Sequence, residues 1–143
     1  MASLEQRLTA VVQRIRDEFN AVRSRTQMAT ITFVIDGGGA AITTGAKGDL
    51  QIPFACSIVG WTLLADQSGS IVVEVSKASF SGWPTVSVIT ASAKPTLSSA
   101  QKATSTTLTG WTTDIIDADV LRIAVNSAAT VQRVTLSLRV RRV

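Results

Sequence analysis

The first 25 residues carry apolar positions that recur at intervals of 4, 3, 4, 4 and 3 residues. Intervals of three and four place side chains on one face of an α-helix. Ser3 and Gln6 have the spacing of a capping box, so the pattern predicts a helix from Ser3 to Arg25. Six residues form this face, called here the apolar stripe: Leu4, Leu8, Val11, Ile15, Phe19 and Val22.

The apolar stripe is narrow, which is typical of a coiled-coil seam rather than of a helix packed on a globular core. Each of its first three residues lies eleven positions before one of its last three, and Glu18 stands where a heptad would need an apolar residue. An isolated helix of this length is marginal in water, so a partner must cover the stripe. Self-association is the favoured interpretation. Docking on another protein and folding back on the chain's own body are the alternatives.

From Ala29 onward the chain is rich in Thr, Val, Ile and Ser, which favours β-strands. Asp66-Gln67-Ser68-Gly69 between two apolar runs predicts a hairpin, and the segment from Ala91 to Thr106 is interpreted as a loop with a possible short strand. Pro53 places the run Leu50–Phe54 at an edge or a strand end. The other predicted strands are Thr30–Ile35, Ala41–Thr43, Ser57–Ala65, Ser70–Lys77, Thr85–Thr90, Ser105–Thr109, Val120–Asn126 and Thr130–Val140.

The last two runs alternate strictly between apolar and polar residues, as strands of antiparallel sheets do. About eight short strands predict an antiparallel β-sandwich of jelly-roll type. The predicted organisation is therefore an oligomerisation or docking helix at residues 1–28, forming a trimeric bundle, followed by a β-sandwich domain at residues 29–143.

The formal net charge of +4 comes mainly from arginines near the two ends of the chain. A solubilising face with intersubunit ion pairs is favoured over a nucleic-acid site, because basic and aromatic residues do not alternate as they do in single-strand binders. The sequence has neither a signal-peptide pattern nor an apolar run long enough to span a membrane. We therefore expect no nucleic-acid partner and no membrane insertion.

Catalytic chemistry is poorly represented in the sequence. The chain has no His and one Cys, Cys56, which lies in an apolar run and is expected to be buried. Asp114, Asp117 and Asp119 form one acidic cluster, and turns entering the next strand are favoured over a calcium site. Asp36, Asp49 and Asp66 are also interpreted as turn residues. We predict no catalytic residue, no metal site and no cofactor.

Three tryptophans are the remaining candidates for contact with a ligand or partner. Trp61 alternates within a predicted strand and is expected in the core. Trp83 and Trp111 lie near turns or strand ends and are candidate surface-recognition residues, since exposed Trp is a frequent binding anchor. The alternative for both is that they close the end of the sandwich.

Several segments of the β region resemble a domain that recurs in virion proteins of tailed bacteriophages, often in tail-fibre or minor tail proteins. The start of the chain, residues 2–8, resembles the helical N-termini of phage fibre proteins. The segments that carry the resemblance are Phe33–Gly39, Ile42–Leu50, Ile52–Phe54, Leu63–Val73, Ile89–Thr96 and Leu108–Trp111.

The resemblance implies a homotrimeric virion component whose helices are bundled or docked on the particle and whose β domains are displayed. The implied partners are other virion proteins of tail, baseplate or capsid, and a host cell-surface glycan or protein. The resemblance supplies no catalytic residues. Because no shaft separates helix and head, a capsid decoration protein or head fibre is the alternative to a short tail fibre.

Overall fold

A computed structural model describes all residues, Met1–Val143. The single helix, α1, covers Leu4–Gln27 and is directly followed by the first strand at Met28. The predicted capping box is present: the Gln6 backbone N–H donates to Ser3 Oγ (3.2 Å), and the Ser3 N–H donates to Gln6 Oε1 (2.9 Å). These two bonds satisfy donors that a helix start otherwise leaves unpaired.

All strand pairs are antiparallel. The eight strands are β1 Met28–Asp36, β2 Gly45–Gln51, β3 Cys56–Ala78, β4 Ser87–Val88, β5 Thr96–Ser105, β6 Asp114–Ile115, β7 Val120–Ala129 and β8 Arg133–Arg142.

Strand β3 is 23 residues long and belongs to both layers of a curled sheet. Its first half pairs with β8 from Cys56 to Ala65, and its second half pairs with β7 from Ser70 to Ala78. We call β1, β8, the first half of β3 and the end of β5 the first sheet. The second sheet contains β2, β7, the second half of β3 and the start of β5. The predicted mainly β, antiparallel jelly-roll-like fold with one N-terminal helix is confirmed.

The predicted hairpin at residues 66–69 is wrong, because β3 runs straight through these residues. The Asp66 carboxylate accepts the backbone N–H groups of Gln132 (3.1 Å) and Arg133 (3.0 Å), and Gln67 Nε2 donates to Thr130 O. A Cβ on Gly69 would lie 2.6 Å from Ala129 O. The turn-like residues therefore hold β3 against the β7–β8 connection where the strand passes between sheets.

Residues 91–106 contain the strand that the sequence left possible, and that strand is long rather than short, so the interpretation of the segment as loop is wrong for its larger part. Thr96–Ser105 form β5, which pairs with both halves of β3. Only Leu97 of this strand is buried, so its sequence lacks the apolar alternation that would have revealed it. The predicted strand Ala41–Thr43 is absent, Thr85–Thr90 is reduced to β4, and Thr106–Thr109 lies outside any strand.

The core lies between the two sheets and contains the alternating residues predicted for the last strands. Leu121, Ile123 and Val125 of β7 are buried, as are Val134, Leu136, Leu138 and Val140 of β8. Trp61 and Cys56 are buried as expected. Strand β2 ends before Pro53 and forms the edge of the second sheet, as the proline predicted.

Candidate functional site

The apolar stripe of α1 is exposed along its whole length. No residue of the helix is buried, and its six stripe residues are 54–79% exposed. The principal contact of α1 with the strands is at β1, which follows it directly. The helix therefore does not fold back on the β domain, and that alternative is wrong for this chain.

Val12 extends the same face and was not recognised in the sequence pattern. It lies four residues after Leu8 and seven before Phe19, which is helical spacing, and it is 48% exposed. The sequence pattern missed Val12 because its neighbour Val11 already supplies the apolar residue of that helical turn.

The charged side chains that flank the stripe have no ion-pair partner within the chain. The four ion pairs of the molecule all lie in the β region. Along α1 the polar contacts are local, such as Gln13 Nε2 donating to Asp17 Oδ1 (2.9 Å). Arg14 and Glu18 border a shallow groove over Ile15 and Phe19. These charges remain available to pair with another helix.

Trp83 is 45% exposed and lies in the tight connection between β3 and β4. The backbone N–H groups of Gly82 and Trp83 both donate to Ser79 O (3.1 and 3.0 Å), which orders the loop. The Trp83 side chain also contributes to the lowered pKa of Asp49 on β2. The ring therefore lies at the surface in an ordered loop, near a carboxylate.

Asp49 is itself fixed by Arg122 on β7, which donates through Nε to Oδ1 (2.8 Å) and through Nη2 to Oδ2 (3.3 Å). The Arg122 hydrogen bond, assisted by that of Trp83, lowers the pKa of Asp49 below its ordinary value. Asp49 lies within β2, so its interpretation as a turn residue is wrong. Sequence reasoning missed this contact because 73 residues separate the two charges.

Trp111 occupies a different environment. It is 9% exposed within the hydrophobic core, and its indole Nε1–H donates to Ala93 O (2.8 Å). The expectation of an exposed contact residue is not met at Trp111, which matches the alternative of a side chain that closes the sandwich. Trp83 remains as the candidate recognition residue.

The acidic residues of the β region accept hydrogen bonds from backbone N–H groups and pair with lysine and arginine side chains. Asp119 is 2% exposed; its Oδ2 accepts the Ile116 N–H (3.0 Å) and lies 3.2 Å from Lys77 Nζ. This is the predicted turn role. No group of three or more potential metal-ligating side chains is present. Asp36 accepts the Gly38 N–H (2.7 Å), which lowers its pKa with help from Arg133, and it ends β1 as the predicted turn residue.

Cys56 is the one cysteine, and burial raises the pKa of its thiol. A protonated, inaccessible thiol is a structural side chain rather than a nucleophile. The helix lacks the apolar length that crossing a membrane requires.

The sequence matches no protein-family model and no curated protein. Among solved structures it is similar to the SPBc2 prophage-derived protein YomS, with 10% identity and a TM-score of 0.40 over 78% of this chain and 94% of that one. A chain of the cyanophage Pam1 capsid asymmetric unit shows 18% identity and a TM-score of 0.32 over 82% and 83%. The infectious bursal disease virus VP2 subviral particle shows 14% identity and a TM-score of 0.35 over 80% and 31%.

Proposed function

We propose that this protein is a structural virion protein of a tailed bacteriophage: a short homotrimeric fibre that attaches through α1 and displays its β domain to the host surface. The observation that carries the proposal is the fully exposed apolar stripe on a helix joined directly to a β body. The resemblance of the β segments and of residues 2–8 to phage fibre proteins supports the virion assignment.

Self-association of α1 follows from the free energy of exposed apolar surface. Six large apolar side chains lie in contact with water along one helix face, and each would contribute about 1.5–3 kcal/mol when fully buried. The eleven-residue spacing corresponds to about 3.67 residues per turn, so bundled helices would be nearly straight. Flanking acids and arginines without intrachain partners would pair between helices.

Attachment to a host is proposed for the β domain, with Trp83 as its contact residue. An ordered, half-exposed indole offers an apolar face to a sugar ring or a protein side chain at low entropic cost. The adjacent Asp49–Arg122 pair offers polar groups beside it. The partner would be a host cell-surface glycan or protein, bound without catalysis.

A capsid decoration protein or head fibre is the second candidate. One observation favours it: Gln27 ends the helix and Met28 starts the first strand, so no shaft separates the attachment element from the displayed domain. Such a chain would hold its β domain close to the particle. In that case α1 would dock on the capsid, and the β domain would not need a receptor.

Sedimentation equilibrium of the full chain tests the oligomeric part of the proposal. We expect a mass of three protomers, and a monomer at micromolar concentration would contradict it. Removal of residues 1–26 should weaken assembly and leave a β-rich circular dichroism spectrum if the chain divides into a helix at 1–28 and a domain at 29–143. Loss of the β spectrum would show that the division is misplaced.

Immunogold labelling of purified virions separates the two candidate functions. Label at the tail or baseplate is expected for the fibre. Label distributed over the head would support the decoration protein instead. Absence of label from intact particles, with the protein present in infected cells, would contradict both.

A further inference from the structure

The outer surfaces of the two sheets differ in chemistry. The second sheet carries two ion pairs: Arg122 Nε–Asp49 Oδ1 at 2.8 Å between β7 and β2, and Lys94 Nζ–Glu74 Oε2 at 2.7 Å between the connection that precedes β5 and strand β3. The central outer surface of the first sheet has hydroxyl and aliphatic side chains instead. We call it the hydroxyl face, and it consists of Thr30, Thr32, Val34, Thr62, Leu64, Thr135 and Ser137.

Strand register places the two large apolar side chains of this face in one row. Val34 on β1 lies opposite Thr135 on β8, and Thr135 lies opposite Leu64 on β3. Val34 is 52% exposed and Leu64 is 51% exposed. In the next row, Thr62 Oγ1 and Thr104 Oγ1 are hydrogen-bonded at 3.0 Å, so the hydroxyl groups are partly paired within the sheet. The face is therefore regular and weakly polar, and its other hydroxyl groups would need hydrogen-bond partners on whatever covers them.

Strand β1 is a free edge beside this face. It pairs only with β8 and ends the strand order of the sheet. Its nine residues include no Lys, Arg or Pro, and its one charged residue, Asp36, is its last. Proteins usually protect a long edge strand with charge, proline, a bulge or a cover. Met28–Ile35 contains no charged residue, no proline and no bulge. The remaining form of protection is another segment or molecule that covers the edge.

The position of α1 indicates what covers the β1 edge. The helix passes into β1 without a linker, so association of the stripes of several copies brings their β1 strands to the same axis. We propose that the β1 edge and the hydroxyl face pack against the neighbouring copy of this chain in the assembled protein. The inference rests on the self-association proposed above, and it adds that the β domains themselves form part of the interface.

The symmetry of such an interface decides its form. In a closed ring of three copies the contact is heterologous, since one patch meets a different patch of the neighbour. The β1 edge of one copy would then meet the hydroxyl face of the next around Leu64. Two cations without an acidic partner in the chain adjoin this face: Lys102 lies opposite Leu64, and Arg139 lies opposite Thr30. Their long side chains would carry the charges from the contact to its solvated rim.

The test uses the full chain with Leu64→Lys, and Val88→Lys as its matched control. Val88 is 49% exposed on β4, beside the second half of β3. Residue 64 lies between Thr135 and Lys102 in the register, so a lysine there would place a second cation beside Lys102. A charge buried without a partner is costly, so Leu64→Lys should raise the dissociation constant of assembly about tenfold or more. Val88→Lys should assemble like the wild type. Both variants should keep the wild-type circular dichroism spectrum, and Val34→Lys replaces Leu64→Lys if the latter unfolds.

The outcomes separate the two proposals. If the wild-type protein is a monomer, both the proposed self-association of the helix and this proposed interface are contradicted. A wild-type trimer in which Leu64→Lys and Val34→Lys assemble as well as Val88→Lys would overturn the interface alone and leave the helix proposal standing. As an independent measurement, hydrogen exchange of β1 amides should be slower in the wild-type assembly than in a variant made monomeric by a change in α1. Equal exchange would likewise overturn the interface.

Discussion

Arg122 and Asp49 form a two-point ion pair between β7 and β2, and the Trp83 side chain contributes to the lowered pKa of the same carboxyl. The pair is partly exposed, with side-chain exposures of 24% for Arg122 and 30% for Asp49. The loop that carries Trp83 is ordered by the backbone hydrogen bonds to Ser79 O. An exposed ring on an ordered loop loses little conformational entropy when a partner stacks on it.

Trp83→Ala should therefore reduce attachment to host cells if the protein is a fibre, with little change in melting temperature. The ring is half-exposed, so its removal leaves no core cavity. Attachment is measured by binding of labelled protein to susceptible cells. Wild-type attachment by Trp83→Ala would remove this residue as a contact, and it is the expected result for a decoration protein.

Trp111→Ala provides the contrasting control. Trp111 is buried and its Nε1–H is bonded to Ala93 O, so truncation leaves a cavity and an unpaired carbonyl. Loss of a buried aromatic side chain costs about 3–5 kcal/mol, and thermal unfolding should shift down by many degrees. An unchanged melting temperature would show that Trp111 does not close the sandwich.

Ile15→Asp should impair assembly far more than Arg14→Ala. Ile15 lies on the apolar stripe, where a carboxylate without a partner would cost several kcal/mol once buried between helices. Arg14 lies on the flank, where an exposed ion pair contributes about 0–1 kcal/mol. Sedimentation equilibrium measures both variants, and circular dichroism checks that each β domain is folded. Equal assembly of the two would show that the helices do not associate through this stripe.

Asp66→Asn should weaken the acid dependence of stability. The backbone N–H of Arg133, assisted by that of Gln132, holds the pKa of Asp66 below its ordinary value of 3.8. A carboxyl whose pKa is lowered by folding contributes stability that is complete above the ordinary value. This stability is lost as the pH falls through the folded-state pKa.

The free energy of unfolding in urea, measured at pH 7 and below pH 4, should therefore fall less in Asp66→Asn than in the wild type. The variant should also be less stable than the wild type at pH 7. Asp117→Asn is the matched control at an exposed position and should leave the acid dependence unchanged. A variant with the full wild-type acid loss would assign that loss to other carboxyls.

Asp119→Ala should be destabilising by about 1–3 kcal/mol, because it removes the buried acceptor of the Ile116 N–H. It also removes the carboxylate beside Lys77, whose Nζ keeps its hydrogen bond to Asp114 O. Chemical denaturation measures the loss, and Asp114→Ala, at an exposed position, is the milder control.

Chelation of divalent cations should not change wild-type stability. A fall in melting temperature on chelation would instead support a calcium site at Asp114, Asp117 and Asp119.

Local patterns in the sequence were sufficient for the elements whose side chains repeat with a regular period. The helix start at Ser3, the apolar stripe and the inward-facing residues of β7 and β8 depend on neighbours within a few positions. Helical and strand periodicity express that local geometry directly. The general fold class follows from the same information, since alternating strands with polar connections require two packed antiparallel layers.

Tertiary contacts decided the features in which distant segments compete with local preference. Asp66–Gly69 has turn residues, yet bonds from the β7–β8 connection keep β3 extended through them. Strand β5 forms on a polar Ser/Thr segment because β3 offers it an open edge. The packing of chain segments that are far apart in sequence determines which of Trp83 and Trp111 is exposed. The same packing brings Asp49 and Arg122 together. Sequence periodicity reports which face of an element is apolar, whereas only the packed structure determines what lies against it.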